Sequence, residues 1–242
     1  MAHITKEFHS IEKKVVLPFF FPWLILYSVC YKYKDNKIVK LIPNTLSVLR
    51  MLIAPLSAYV LYGQLVTPSL IYSLLWLWFF GFLAYGDRID GMIARNCDAE
   101  SEFGKMIDAG SDKTFFVLHM IPVFFVYKIF IPDFYYGILL SAFSTLVIFE
   151  IILVALALQG WHLKRTGHKI VLGANNFGKY KFTLEIATFV ISIVVLFSNK
   201  IYGLEIHSSV FYLIFILLSI CIIFASLSIY GHLRRNISAV KE

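Results

Sequence analysis

Long runs of apolar residues, each closed by a polar or charged cluster, divide the chain at about residues 45–66, 69–94, 109–131, 134–158, 179–198 and 207–230. A helix that crosses the roughly 30 Å hydrocarbon core of a bilayer needs about 20 apolar residues, because no water is present there to satisfy an open backbone. The pattern predicts an all-α fold, an integral membrane bundle of six transmembrane helices. Connections between the runs are mostly short, and no internal repeat or low-complexity tract interrupts them. A further apolar stretch, Val15 to Tyr31, has a different character, because it contains Pro18 and Pro22 and is flanked by Lys13 and Lys14 before and by Lys32 and Lys34 after. Basic residues at both ends oppose a crossing, so this stretch is expected to form an N-terminal interfacial or re-entrant helix. The chain then divides into an N-terminal interfacial segment, 1–40, and a membrane domain, 41–242. No small-residue cleavage pattern follows the first apolar stretch, which argues against a removable signal peptide.

Composition sharpens this reading: 59% of the 242 residues are hydrophobic and 15% charged, which excludes an ordinary soluble protein. Of the 22 lysines and arginines, only Lys128 and Lys200 fall toward one side of the predicted bundle, and Arg50, Arg88, Lys113, Lys179 and Lys181 lie within spans near their opposite ends. The rest gather on the opposite side, together with both termini. The positive-inside rule makes that side cytoplasmic, and a bacterial inner membrane is the expected location. The formal charge of +7 suits a surface apposed to anionic membrane lipids, and nucleic acid is not needed to explain it. Three cysteines, Cys30, Cys97 and Cys221, are too few and too scattered for a disulfide framework. His119 stands alone in an apolar helix and is expected to be hydrogen-bonded within the bundle rather than metal-bound.

The chemistry concentrates between residues 87 and 112. Asp87 and Asp90 are three apart and Asp108 and Asp112 four apart, so each pair shares one face of a helix. Four carboxylates gathered at a membrane boundary repel one another and resist desolvation unless a cation neutralises them. Oxygen ligands of this kind suit magnesium or manganese rather than zinc. On the first helix Gly91 and Ala94 fall on the same side as the aspartates and leave space for a flat ligand. A solvated acidic loop is the plain alternative, and it is the preferred reading for Asp98, Glu100 and Glu102.

Asp87, Asp90, Gly91, Ala94, Arg95, Gly104, Asp108 and Asp112 fit Asp-x2-Asp-Gly-x2-Ala-Arg-x8-Gly-x3-Asp-x3-Asp at every fixed position. In this the chain resembles the class I CDP-alcohol phosphatidyltransferases, and within them the phosphatidylglycerophosphate synthases most. The resemblance implies a membrane enzyme that uses two divalent metal ions, magnesium or manganese, to displace CMP from CDP-diacylglycerol with a small polar alcohol. It implies Asp87, Asp90 and Asp108 as metal ligands, and Asp112 as a residue that both approaches the metal and acts as general base. It assigns the space beside Gly91, Ala94 and Gly104 to the cytidine nucleotide, and Arg95 to its phosphates or to the acidic cluster.

Other segments extend the resemblance. Pro43-Asn44-Thr45-Leu46-Ser47 with Arg50 is similar to a Pro-Asn-x-Leu-Thr-x2-Arg stretch of the synthases, with Ser47 in place of threonine. Arg50 inside a span either snorkels to the interface or faces the site. Glu150 is a carboxylate within the fourth span that needs a partner, for which Arg50 or a later lysine is available. Phe149 replaces the arginine that often precedes it in the synthases, so acceptor contacts of that arginine do not carry over. Gly178-Lys179-Tyr180-Lys181 resembles a Gly-Lys-x-Lys-Thr stretch, with Phe182 in place of threonine and Glu185 where glutamine is common. Lys179, Lys181 and the basic loop at Lys164–Lys169 are candidate anion-binding groups, and Lys181 and Glu185 are spaced to pair.

Glycerol 3-phosphate is the expected acceptor. Inositol, an inositol phosphate, serine and phosphatidylglycerol are alternatives for the same chemistry, and a homodimer is left open. Outside enzymes, a cation transporter would place its carboxylates near the bilayer midplane rather than at a helix end. An inactive scaffold would not need the complete signature.

Overall fold

The computed structural model describes residues 21–170, 175–204 and 208–241, and among these every regular element is a helix. In chain order they are α1 (Phe21–Lys32), α2 (Lys37–Val66), α3 (Leu70–Asn96), α4 (Glu102–Phe130), α5 (Asp133–Arg165), α6 (Asn176–Tyr202) and α7 (Ser208–Lys241). The last six are long and apolar enough to cross a membrane. The described part of α1, 12 residues, spans about 18 Å. Residues 15–20 of the first apolar stretch lie outside the described residues.

The helices outlast the apolar runs that announce them. The first span begins at Lys37 rather than residue 45, the third at Glu102 rather than 109, and the last runs to Lys241 rather than 230. Hydropathy reports what sits in lipid, whereas a helix continues until its backbone groups find other partners. Those partners are local. The side chain of Asn36 accepts the N–H of Ile38 at 2.9 Å, Ser101 accepts that of Gly104 at 2.9 Å, and Asn175 accepts that of Gly178 at 2.8 Å, capping α2, α4 and α6. Because Asn36 starts α2 early, the division drawn at residue 40 falls inside that helix. Gly203, with φ +65, ends α6 in a conformation that glycine adopts without strain.

The most extensive packing joins α2 with α4 and α5 with α7, with α3 laid against α2 and α6 against α7. A core of large side chains runs through the middle of the bundle, including Leu61, Met120, Tyr127, Leu146, Leu196 and Leu218. The outer faces carry exposed Leu, Ile, Val and Phe, as a lipid-facing surface requires. His119 is buried and polar contacts hold both ring nitrogens, with Phe115 O at 2.7 Å from Nδ1 and Ser57 Oγ at 2.9 Å from Nε2. Since a carbonyl can only accept, Nδ1 carries the proton and Nε2 accepts from Ser57. The three cysteines are free and buried.

Candidate active site

The carboxylates converge where the end of α3 meets the start of α4, with α2 between them. One ligand oxygen from each of Asp87, Asp90 and Asp108 lies within 4.8 Å of the others. Asp112, one turn further along α4, joins them through Arg50. The Arg50 guanidinium, 5% exposed, reaches Asp87 at 2.5 Å, Asp112 at 2.8 Å and Asp108 at 3.4 Å, while its Nε donates to Ser111 Oγ at 3.1 Å. Ser111 in turn donates to the backbone carbonyl of Ser47 at 2.9 Å. Arg50 therefore faces the site rather than snorkelling to the interface.

One guanidinium against four carboxylates leaves the cluster short of positive charge. Asp90 shows this best: it is 4% exposed, accepts a hydrogen bond from Ser47 Oγ at 3.1 Å, and forms no ion pair among the described residues. A buried carboxylate without a cationic partner is costly. An all-oxygen donor set with that deficit fits a hard divalent cation, and Asp87, Asp90 and Asp108 have the oxygens grouped closely enough to hold one.

Two recesses open on either side of Asp108. The smaller, about 120 Å³, is lined by Ser47, Asp90, Gly91, Ala94, Arg95 and Gly104 among others. The nearest atom that a Cβ on Gly91 would meet is in the Arg95 side chain, at 3.3 Å, so the glycine gives that guanidinium room beside the recess. Gly104 has a packing reason as well: a Cβ there would run into Asn44 Oδ1 and stand 2.9 Å from Ser101 Oγ. It permits the close approach of α2 and α4 from which Asp108 and Asp112 project.

The larger cavity, about 340 Å³, is enclosed by α4, α5, α6 and α7. Asp108 and Asp112 form one wall, and Lys105, Lys113, Lys179, Lys181 and Arg235 supply positive charge around it. These cations are not equivalent. Lys181 is 2% exposed and its Nζ is ion-paired to Glu150 and, at 3.2 Å, to Glu185, while Lys113 stands 3.6 Å from Glu150. Two lysines thus match two buried glutamates in a neutral group beneath the cavity, as burial of charge requires. Glu150 finds its partners in Lys181 and Lys113 rather than Arg50. Lys179 is exposed at the rim, and Lys105 is held by Glu100 at 2.8 Å. In the basic loop region, Lys164 pairs with Glu102 across the gap from α5 to α4.

Lys113, His232 and Arg235 were not singled out by the sequence reading. Lys113 follows Asp112 but is not part of the spacing pattern. Ser228, His232 and Arg235 line the cavity from α7 at spacings of four and three, one helical face, which the hydropathy boundary at 230 cut off. Following the helical period past the apolar run would have exposed that stripe.

Residues 40–230 match the family model for CDP-alcohol phosphatidyltransferase. The chain belongs to the CDP-alcohol phosphatidyltransferase family. Among characterised sequences it is 30% identical, over 113 residues, to the CDP-diacylglycerol–glycerol-3-phosphate 3-phosphatidyltransferase of Aquifex aeolicus. That alignment takes in 47% of this chain and 60% of the relative's length. No solved structure matches the chain. For this family member, α1 and the face formed by His232 and Arg235 lie outside the matched residues.

Proposed function

We propose that this protein transfers the phosphatidyl group of CDP-diacylglycerol to glycerol 3-phosphate and releases CMP, at the cytoplasmic face of a bacterial inner membrane. The observation that carries the reading is the position of Asp112. It shares Arg50 with Asp87 and Asp108, and its side chain lines the cation-rich cavity but not the smaller recess. A base that serves an incoming alcohol needs that placement, with the acceptor on one side and the donor pyrophosphate on the other.

Asp87, Asp90, Asp108 and Asp112 would hold two divalent ions, magnesium or manganese, whose chemistry when bound is Lewis-acid stabilisation of charge on the pyrophosphate and the departing phosphate. The recess beside Gly91, Ala94, Arg95 and Gly104 suits the nucleotide, and the exposed outer helix faces leave the acyl chains in lipid. The acceptor hydroxyl gives its proton to the Asp112 carboxylate as its oxygen bonds to the phosphorus bearing diacylglycerol. The bond from that phosphorus to the CMP oxygen breaks, and CMP leaves with the electron pair. Lys179 and Arg235 receive the acceptor phosphate, since Lys181 is committed to Glu150 and Glu185. The name of the Aquifex aeolicus relative supports the same acceptor.

The test is CMP release from CDP-diacylglycerol with glycerol 3-phosphate, inositol, an inositol phosphate, serine and phosphatidylglycerol as competing acceptors. Glycerol 3-phosphate should give the highest kcat/KM, and Lys179→Gln or Arg235→Gln should raise the acceptor KM more than the donor KM. Preference for an unphosphorylated alcohol would overturn the acceptor. No CMP release with any of them would overturn the reaction.

A further inference from the structure

The side of α3 that turns away from the carboxylates is covered by α1, and the fit between them is specific at two points. At about 100° per residue, Phe82, Gly86, Ile89, Ile93 and Asn96 share one side of α3, while Asp87, Asp90, Gly91 and Ala94 lie on the other. Trp23 of α1 stacks on Phe82, with ring centroids 4.7 Å apart, and its Nε1 donates to the Phe82 carbonyl at 2.9 Å. In a regular helix that carbonyl already accepts from residue 86. A second donor reaches it because residue 86 is glycine: a Cβ there would stand 2.8 Å from Trp23 Cζ2 and 3.1 Å from Cη2.

Fourteen residues further on, where α3 ends, Asn96 Nδ2 donates to Tyr27 Oη at 2.8 Å. Between the two points Trp23, Tyr27 and Cys30 close over Ile89, Met92, Ile93 and Cys97 in a packed cluster of their own. Trp23 and Tyr27 are 9% and 1% exposed, so the contact is a buried one rather than a loose interfacial association. The two polar contacts bracket the segment that carries Asp87 and Asp90, and Gly86 is the residue immediately before Asp87.

We infer that α1 is a positioning helix for the reaction, in which Trp23, seated in the Gly86 notch, and Tyr27, clasped to Asn96, hold the rotation of α3 that aims Asp87 and Asp90 at α2 and α4. The inference rests on the reading of Asp87 and Asp90 as metal ligands. The warrant is geometric: a helix pinned at one point can roll about its axis, and one pinned at two points along one face cannot. A roll of α3 moves Asp87 and Asp90 relative to Asp108, which a different helix supplies, and separates oxygens now within 4.8 Å. Groups behind a ligand that fix its orientation set metal affinity in this way. The larger cavity has no wall from α3, so acceptor binding is spared.

The experiment uses the purified full chain in detergent, with free Mn²⁺ followed by electron paramagnetic resonance and turnover measured on the same samples. Trp23→Ala is expected to weaken Mn²⁺ binding about 10-fold, the lower end of the effect of losing an orienting partner. It should also lower kcat while the acceptor KM stays within about twofold, and Trp23→Phe, which refills the notch without the N–H, should recover part of both. A helix that merely anchors the chain would lower the thermal midpoint and leave Mn²⁺ affinity and kcat per folded molecule unchanged, and that result overturns the inference. Should Trp23→Ala fail to fold, Trp23→Phe and Tyr27→Phe carry the test, and wild-type Mn²⁺ affinity in both overturns it. Absence of Mn²⁺ binding in the wild-type chain would instead overturn the ligand reading, and the positioning role with it.

Discussion

Replacing Arg50 by methionine isolates the electrostatics of the carboxylate cluster, because it removes the charge and keeps most of the apolar stem. In the structure the guanidinium is 5% exposed and reaches Asp87, Asp112 and Asp108, whose side chains are 34%, 24% and 47% exposed. Removing one partner of a fully buried pair costs about 3–5 kcal/mol, and exposed pairs are worth about 0–1 kcal/mol. With a buried cation and half-exposed anions, Arg50→Met should cost about 2–3 kcal/mol in the absence of divalent ions. On the scaling for a domain of this size that is a fall in Tm of roughly 4–12 °C. The loss should shrink when Mn²⁺ is present, because ligand binding at about 100 times Kd stabilises the folded state by about 2.7 kcal/mol, and the variant presents a more negative site than the wild type. Thermal unfolding of the two purified proteins, with chelator and with saturating Mn²⁺, measures this directly. A Tm difference that is equal in both conditions would refute the argument that Arg50 and the metal neutralise the same carboxylates.

Asp112→Asn should lower kcat by at least about 100-fold with the fold intact, since the amide keeps the shape and cannot take the acceptor proton; turnover assays with a circular-dichroism control check it. Chelation should abolish CMP release, and magnesium or manganese should restore it, whereas Asp87→Ala, Asp90→Ala and Asp108→Ala should stay inactive at any metal concentration; activity surviving thorough chelation would remove the account of the four carboxylates. Topology is tested with cysteines placed at exposed positions: Lys169→Cys should react with a membrane-impermeant thiol reagent only from the cytoplasmic side, and Tyr202→Cys only from outside. Native Cys97 should stay silent from both sides at neutral pH, because it is 1% exposed and its burial pushes the thiol pKa up, leaving little thiolate.

How much could be read in advance follows from which interactions are local. Apolar runs, the signature spacing and the helix-face pairing of Asp87 with Asp90 and Asp108 with Asp112 are properties of consecutive residues, and membrane burial demands helices there whatever the packing. The six spans, the acidic cluster and the family were therefore legible. Helix ends were less so, since caps such as Asn36 and Ser101 act through single hydrogen bonds that hydropathy does not register. What only the tertiary structure decided is which residues from different helices meet. The sequence left Arg50 between two roles, and packing of α2 against α3 and α4 puts its guanidinium among three aspartates. It left Glu150 with a choice of partners, and the approach of α6 to α5 gives it Lys181, while Lys113 arrives from α4. The Trp23–Gly86 contact joins residues far apart in the chain through a notch that exists only once α1 lies on α3. Charge and shape at a distance are set by the register of packed helices, and no window of neighbouring residues encodes that register by itself.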